Sequence, residues 1–176
     1  VISLFEMEGL KPVVAPELEF YLVEQNANSD HPLKTPSGRS GLAETAKQAY
    51  GIDAVNDFDP LFEDIYDFCD IQNIDIDTLS HESGPAQMEI NFNHGDALEL
   101  ADQVFLFKRT VRQTAINHKL HATFMAKPMQ NQPGSAMHLH TSIVKIKNEK
   151  NLFSKNNGEE EQDFYFAISG LQRHFS

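Results

Sequence analysis

The sequence has little cysteine, little positive charge and no long apolar run, and each shortage excludes something. A single cysteine, Cys69, leaves no intrachain disulfide. It falls in an apolar helical pattern and reads as a buried structural thiol. Lys and Arg number 14 against 26 Asp and Glu, a net charge of −12. That balance argues against a nucleic-acid partner and an anionic membrane surface. An acidic chain can still bind phosphates where metals or placed cations supply the positive charge. No apolar run is long enough to span a bilayer and no signal-peptide pattern is present, so a cytoplasmic location is the expectation. Internal repeats, low-complexity stretches and interdomain linkers are missing too.

What remains is the composition of a soluble globular protein, 40% hydrophobic and 23% charged. A chain of 176 residues can bury one sizeable core, which predicts a single domain. It opens inside an apolar pattern without an initiator Met or a polar cap, and is expected to be cut from something longer.

The stretch Ser80–Phe92 organises the rest. Gly84-Pro85 marks a turn, one residue allowing positive φ and the other fixing it. Before it, Ile74, Ile76 and Thr78 alternate with Asp75, Asp77 and Leu79; after it, Met88, Ile90 and Phe92 alternate with Gln87, Glu89 and Asn91. Both halves read as strands, and pairing them as a hairpin would bring Glu82 and Glu89 close together. Adjacent carboxylates repel unless a positive charge separates them, and a divalent cation is the usual answer.

Taken in order, Val1–Glu8 reads as a helix stopped by Gly9, and Val13–Val23 as a strand with Glu17 and Glu19 on one face and Leu18, Phe20 and Leu22 on the other. Acidic residues form strands poorly, so two of them here need a reason. Glu24–Gly41 is a long polar loop, of the length that is often functional or mobile. Leu42–Tyr50 reads either as a short helix or as more loop. Asp59 as N-cap and Pro60 in the first turn start a helix that ends near Asn73, with Leu61, Ile65, Phe68 and Cys69 as its buried stripe. A capping-box-like start from Asp96 to Glu99 opens the longest helix, to about Lys119, with Leu100, Val104, Phe107, Val111 and Ala115 inward. His121–Ala126 is a strand, Lys127–Gly134 a loop, and Ala136–Val144 a strand with strict alternation. There Met137, Leu139, Thr141 and Ile143 face one way, and His138, His140 and Ser142 the other. An acidic loop, Asn148–Gln162, precedes a helix over Asp163–Phe175. The pattern predicts an α+β fold with a mostly antiparallel sheet and helices packed on one side.

Three stretches thus offer polar side chains toward one face: Glu17 with Glu19 and His138 with His140 at a spacing of two, and Glu82 with Glu89 across the turn. A sheet that gathers them would hold four carboxylates and one or two imidazoles. Such an oxygen-rich set suits Mg²⁺ or Mn²⁺, the nitrogen tilting it toward Mn²⁺, whereas zinc more often recruits Cys or several His.

Ala15-Pro16-Glu17-Leu18-Glu19-Phe20, His81-Glu82 through Gln87-Met88-Glu89, and Lys127-Pro128-Met129 through Gly134-Ser135-Ala136-Met137-His138-Leu139-His140 resemble the glutamine synthetase catalytic domain, of guanido-kinase-like fold, in order and spacing. The resemblance covers nearly the whole chain. Asp75–Glu82, Met88–Phe92 and Asn131–Ala136 look most like the γ-glutamylputrescine synthetase branch. The resemblance implies that Glu19, Glu82 and Glu89 hold one metal, and Glu17 and His138 a second that bridges toward nucleotide phosphates. It places His140 near the phosphates or the transferring group, and Asp77, where the family usually has Glu, near the nucleotide. Ser142, on the face of His140, joins the cofactor-binding set, with Phe92 as an aromatic near the adenine. Tyr50 would stand beside the amine pocket, and Gly134 in the loop that holds glutamate. The implied chemistry uses ATP and two or more divalent ions, Mg²⁺ or Mn²⁺. The γ-carboxylate of glutamate takes the γ-phosphoryl group, and an amine then displaces phosphate.

Two departures matter. Ammonia-using members usually carry Asn-Gly-Ser-Gly before the Met-His pair, and this chain has Pro133-Gly134-Ser135-Ala136. Pro133 has no N–H to donate, which favours an altered amine such as putrescine or a related polyamine. The family's whole chain also has an N-terminal β-grasp domain that completes a neighbouring subunit's site in a homo-oligomer, and further arginines, a last metal-binding Glu and a flap. Arg39, Arg109, Arg112 and Arg173 are the only arginines here. Residues 1–176 are therefore expected to be one partial catalytic domain that binds metal without turnover and self-associates through surface that partners would cover. The alternatives are a glutamine synthetase using ammonia, a Mn²⁺-dependent hydrolase that releases product without consuming ATP, and a non-catalytic relative kept for assembly or regulation.

Overall fold

A computed structural model describes residues 1–26, 28, 30–155 and 157–175. Ala27 and Ser29 of the expected 24–41 loop, and Asn156 of the expected 148–162 loop, lie outside the described residues. The chain divides into two compact units: residues 15–93 with 98–139, and residues 1–14 with 94–97 and 140–176.

The larger unit is organised on β1 (Leu10–Glu24), most of which lies in it. β1 pairs antiparallel with β3 (Gln87–Phe92) over residues 17–21, and with β5 (Leu120–Thr123) over residues 21–24. β3 pairs in turn with β2 (Ile76–His81), which closes the expected hairpin. Leu18, Phe20 and Leu22 of β1 and Met88, Ile90 and Phe92 of β3 are buried on one face. Helix α3 (Asp59–Ile71) adds Leu61, Phe62, Ile65 and Cys69, and helix α4 (Ala97–Asn117) adds Leu100, Phe107, Val111 and Ala115. The Phe107 ring sits edge-on to Phe92 at 5.2 Å and to Phe124 at 6.4 Å, fastening α4 to the sheet. Each such burial contributes about 1.5–3 kcal/mol. The two helices adjoin: Gln72 Nε2 donates to Thr110 Oγ1 at 2.9 Å, and His118 Nε2 lies 2.7 Å from Asp64 Oδ2.

The smaller unit contains α1 (Ile2–Met7), the start of β1, the two-residue β4 (Gly95–Asp96), the end of β6 (Met137–Lys145) and α5 (Gln162–His174). Val13 and Val14 pair with Asp96 and Gly95, and the Ile146 N–H donates to Gly9 O at 2.9 Å. The Phe164 ring meets Phe153 and Tyr165 edge-on.

Several elements differ from the sequence reading. Residues 42–50 form no helix; Ser37 and Ala43 make an isolated bridge, and a short helix, α2 (Ile52–Asn56), follows. Phe58, not Asp59, holds the N-cap position of α3, and the Asp59 carboxylate, in the first turn, lies 3.2 Å from Arg39. Phe68 is 39% exposed and Phe62 is buried in its place. β2 begins at Ile76 and carries a bulge between Ile76 and Leu79, which breaks the expected alternation. Met137 and Leu139 are more than half exposed, so the apolar side of β6 is not a core face there.

Candidate metal centre

On the face of β1 and β3 opposite the helices lie the odd-numbered residues. The register sets Glu19 opposite Glu89 and Glu17 opposite Asn91, so directly paired side chains project together. The hairpin turn brings in Glu82, whose N–H donates to Gln87 O at 2.8 Å. That turn demands a close approach: a Cβ on Gly84 would overlap the Tyr21 hydroxyl, and Ala86 takes a left-handed φ of 54°.

Glu17, Glu89 and His138 each present a ligand atom, all within 4.8 Å of one another. His138 Nδ1 lies 3.3 Å from Glu17 Oε2 and 3.9 Å from Glu19 Oε1. Glu19 is nearly buried, and its Oε2 accepts from Gln87 Nε2 at 3.0 Å and from the Ala136 N–H at 3.2 Å. Burial pushes the Glu19 carboxyl up; the Ala136 N–H opposes this, the Glu82 and Glu17 charges add to it, and His138 counters them. Glu89 is likewise raised, by burial first and then by the carboxylates of Glu17, Glu82 and Glu19, with His138 opposing. Glu19 and Glu89, raised by burial and by the carboxylates around them, sit beside an imidazole in a site whose like charge a cation would relieve. Hard oxygens with one nitrogen match Mg²⁺ or Mn²⁺. The Asn91 Oδ1 on the same face is buried without a hydrogen-bond partner among the described residues, a further oxygen fit for a cation.

The other predicted residues are placed less uniformly. Gly134 lies in the loop before β6, its O accepting from Gln87 Nε2 at 2.9 Å, and a Cβ there would come within 2.8 Å of Ala126 O. Tyr50 is 76% exposed with φ of 61°, and its N–H donates to His81 O at 2.8 Å. Asp77 is exposed, and Thr78 Oγ1 lies 3.2 Å from its carboxylate. The Phe92 ring is buried on Phe107, which makes it a core aromatic in this structure. His140 and Ser142 belong to the smaller unit, where Ser142 lines a cavity of about 640 Å³ with Lys11, His94 and Asn151.

Three supporting residues carried no role in the sequence reading. Gln87 is fully buried; besides Glu19 and Gly134 it reaches Ser135 Oγ at 3.3 Å, and its Oε1 accepts from the Gly84 N–H at 2.9 Å. Its place two residues before Glu89 was the available signal. Tyr21 donates to Pro133 O at 2.8 Å, and burial, with help from Glu19 and Glu82, pushes its hydroxyl up to about 12. Glu44, in a loop without periodicity, accepts from the Ala86 N–H at 2.8 Å and lies 2.9 Å from Nε2 of the buried His81. Burial lowers His81, but the Glu44 hydrogen bond and charge, with backbone carbonyls of Glu82 and Gln48, together leave the imidazole raised.

An α+β domain whose antiparallel sheet carries a carboxylate–imidazole cluster opposite its helices is the class defined so far. Residues 1–176 match the catalytic domain of glutamine synthetase, and the chain belongs to that family. It is 40% identical over 165 residues to gamma-glutamylputrescine synthetase PuuA of Escherichia coli, covering 93% of this chain and 35% of that protein. It is 34% identical over 173 residues to a glutamine synthetase of Pyrococcus horikoshii, covering 98% and 36%. A ligand-free structure of GmaS superposes with a TM-score of 0.81 at 27% identity, over 97% of this chain and 38% of that one. The fold is shared as well with Plasmodium falciparum glutamine synthetase, TM-score 0.81 at 23% identity, over 98% and 38%. The chain thus spans about a third of the length of the curated relatives it matches.

Proposed function

We propose that the intact protein joins the γ-carboxylate of glutamate to an amine with cleavage of ATP, and that the amine is putrescine or a related polyamine. The observation that carries this reading is the convergence of Glu17, Glu89 and His138, with Glu19 beside them, on the open face of a glutamine synthetase catalytic domain. Glu19, Glu82 and Glu89 would hold one divalent ion, and Glu17 and His138 the second. Bound there, Mg²⁺ or Mn²⁺ would supply the charge neutralisation and positioning on which phosphoryl transfer depends. The side chains serve as a cradle rather than as an acid–base pair. Gln87 and Tyr21 hold the Pro133–Ser135 segment, so that the proposed glutamate loop is fixed to the metal-bearing strands. The glutamate carboxylate would accept the γ-phosphoryl group, and the amine would displace phosphate from the γ-glutamyl phosphate. Tyr50 would stand beside the amine, Asp77 would serve the nucleotide, and His140 and Ser142 would contribute to nucleotide binding; Phe92, packed on Phe107 on the helix side of the sheet, is left out of the adenine site.

Two observations favour a polyamine. Pro133 replaces a donor with a residue that has none, and 40% identity joins the chain to a gamma-glutamylputrescine synthetase. Residues 1–176 are proposed to be one partial catalytic domain, completed by other segments and by neighbouring subunits of a homo-oligomer. By themselves they would bind metal without turnover.

The test is ADP release by the intact protein with glutamate and Mg²⁺ or Mn²⁺, comparing putrescine with ammonium. Putrescine-dependent release with little response to ammonium is expected. The reverse would make the protein a glutamine synthetase and remove the role given to Pro133. Absence of amine-dependent ADP release with every polyamine and with ammonium would move the reading to a non-catalytic relative.

A further inference from the structure

We infer that the side-chain oxygen of Asn91 is an additional ligand of the metal centre, a neutral donor to the cation beside Glu17 and His138. The inference rests on the metal-binding part of the proposed function. Asn91 follows Glu89 by two residues on β3, so the strand's alternation turns both to the face that carries the cluster. Across the ladder its partner is Glu17, and side chains at directly opposed positions start about 4.5–5.5 Å apart at Cβ. Glu17 in turn lies 3.3 Å from His138.

The Asn91 Oδ1 is buried and accepts no hydrogen bond from any described residue. Folded proteins leave few such atoms, because each forgoes the water it had in the unfolded chain. Its partner across the β1–β3 ladder is the Glu17 carboxylate, which when ionised only accepts. An amide oxygen among ionised carboxylates is therefore a mismatch unless a cation serves them all. A divalent ion does so, and amide oxygens are ordinary ligands for hard cations. The competing arrangement turns the amide over, so that Nδ2 donates to a carboxylate and the residue acts as a clamp instead of a ligand.

The two arrangements separate by Mn²⁺ titration of the intact protein without nucleotide, followed by the electron paramagnetic resonance of the free ion. Asn91→Ala should weaken Mn²⁺ about tenfold or more, within the range for losing a group that supports a metal site. Asn91→Asp keeps an oxygen at the same place and should bind Mn²⁺ at least as tightly as the wild type. Protein labelled with ¹³C at the asparagine side-chain carbonyl should show a ¹³C coupling to bound Mn²⁺ that Asn91→Ala lacks. Affinity unchanged in Asn91→Ala would overturn the inference, as would Asn91→Asp weakened to the same extent as Asn91→Ala. If Asn91→Ala does not fold, Asn91→Asp and the coupling in wild-type protein decide, and absence of that coupling overturns it. Wild-type protein that binds no Mn²⁺ would overturn the metal-binding reading itself, which is a different outcome from a silent Asn91.

Discussion

Gln87 ties the metal-facing strands to the loop ahead of β6. One amide engages Glu19, Gly134 and Gly84, and all of it is buried. Replacing it with leucine keeps the volume but strands those partners away from water. Gln87→Leu should therefore cost about 1–3 kcal/mol, read as a lower midpoint in urea unfolding of the intact protein; an unchanged midpoint would show that the partners find others. Gly84 tests the same seam from the opposite side. A methyl group there meets the Tyr21 hydroxyl and ring, which is itself held to Pro133. Gly84→Ala should destabilise by about 1–3 kcal/mol, as overpacking does, and thermal melting would show it.

At the scale of elements, α3 offers a test through its thiol. Cys69 is fully buried, and burial, with a smaller push from Asp70, raises its pKa from 9.0 to about 11. The native thiol should stay unreactive toward a thiol reagent at pH 8 and react when urea unfolds the chain. The folded state holds this proton more tightly than the unfolded state. Its contribution is thus constant below pH 9.0 and is lost as pH rises from there toward about 11. Rapid native labelling at pH 8 would contradict the packing of α3.

Strands and helices with a strong period were legible because one physical requirement, burial of a face, sets both pattern and position. Leu18, Phe20 and Leu22, and Phe107, Val111 and Ala115, are buried as their spacing predicts. Where a tertiary contact decides, the sequence is silent. Nothing near Asp59 announces its ion pair with Arg39, and nothing in residues 42–50 announces that Glu44 will reach His81. The same holds for the cluster: the pairs at a spacing of two were visible, but the opposition of Glu17 to Asn91 is a matter of register between strands distant in sequence.

At the scale of the molecule, like charge gathered on one sheet is a strain that a cation removes. Glu89 feels three other carboxylates. Glu89→Gln should accordingly raise the melting temperature of the metal-free protein while abolishing the further rise that Mn²⁺ gives the wild type. A variant less stable than wild type in the absence of metal would show that Glu89 is held by donors and not repelled. No described helix is long and apolar enough to cross a membrane.

β1 pairs with β3, β4, β5 and β6. The Ala136 N–H that meets Glu19 is 117 residues away along the chain. Closing so large a loop delays such contacts and makes folding slow compared with proteins built from local pairs. During synthesis, at about 5–20 residues per second, β1 emerges before β3, β5 and β6 and waits several seconds or more for the last of them. Until then its alternating apolar residues form an open edge that other chains can pair with. The cluster cannot take shape before His138 has left the ribosome, so a truncated product would carry its carboxylates without their imidazole.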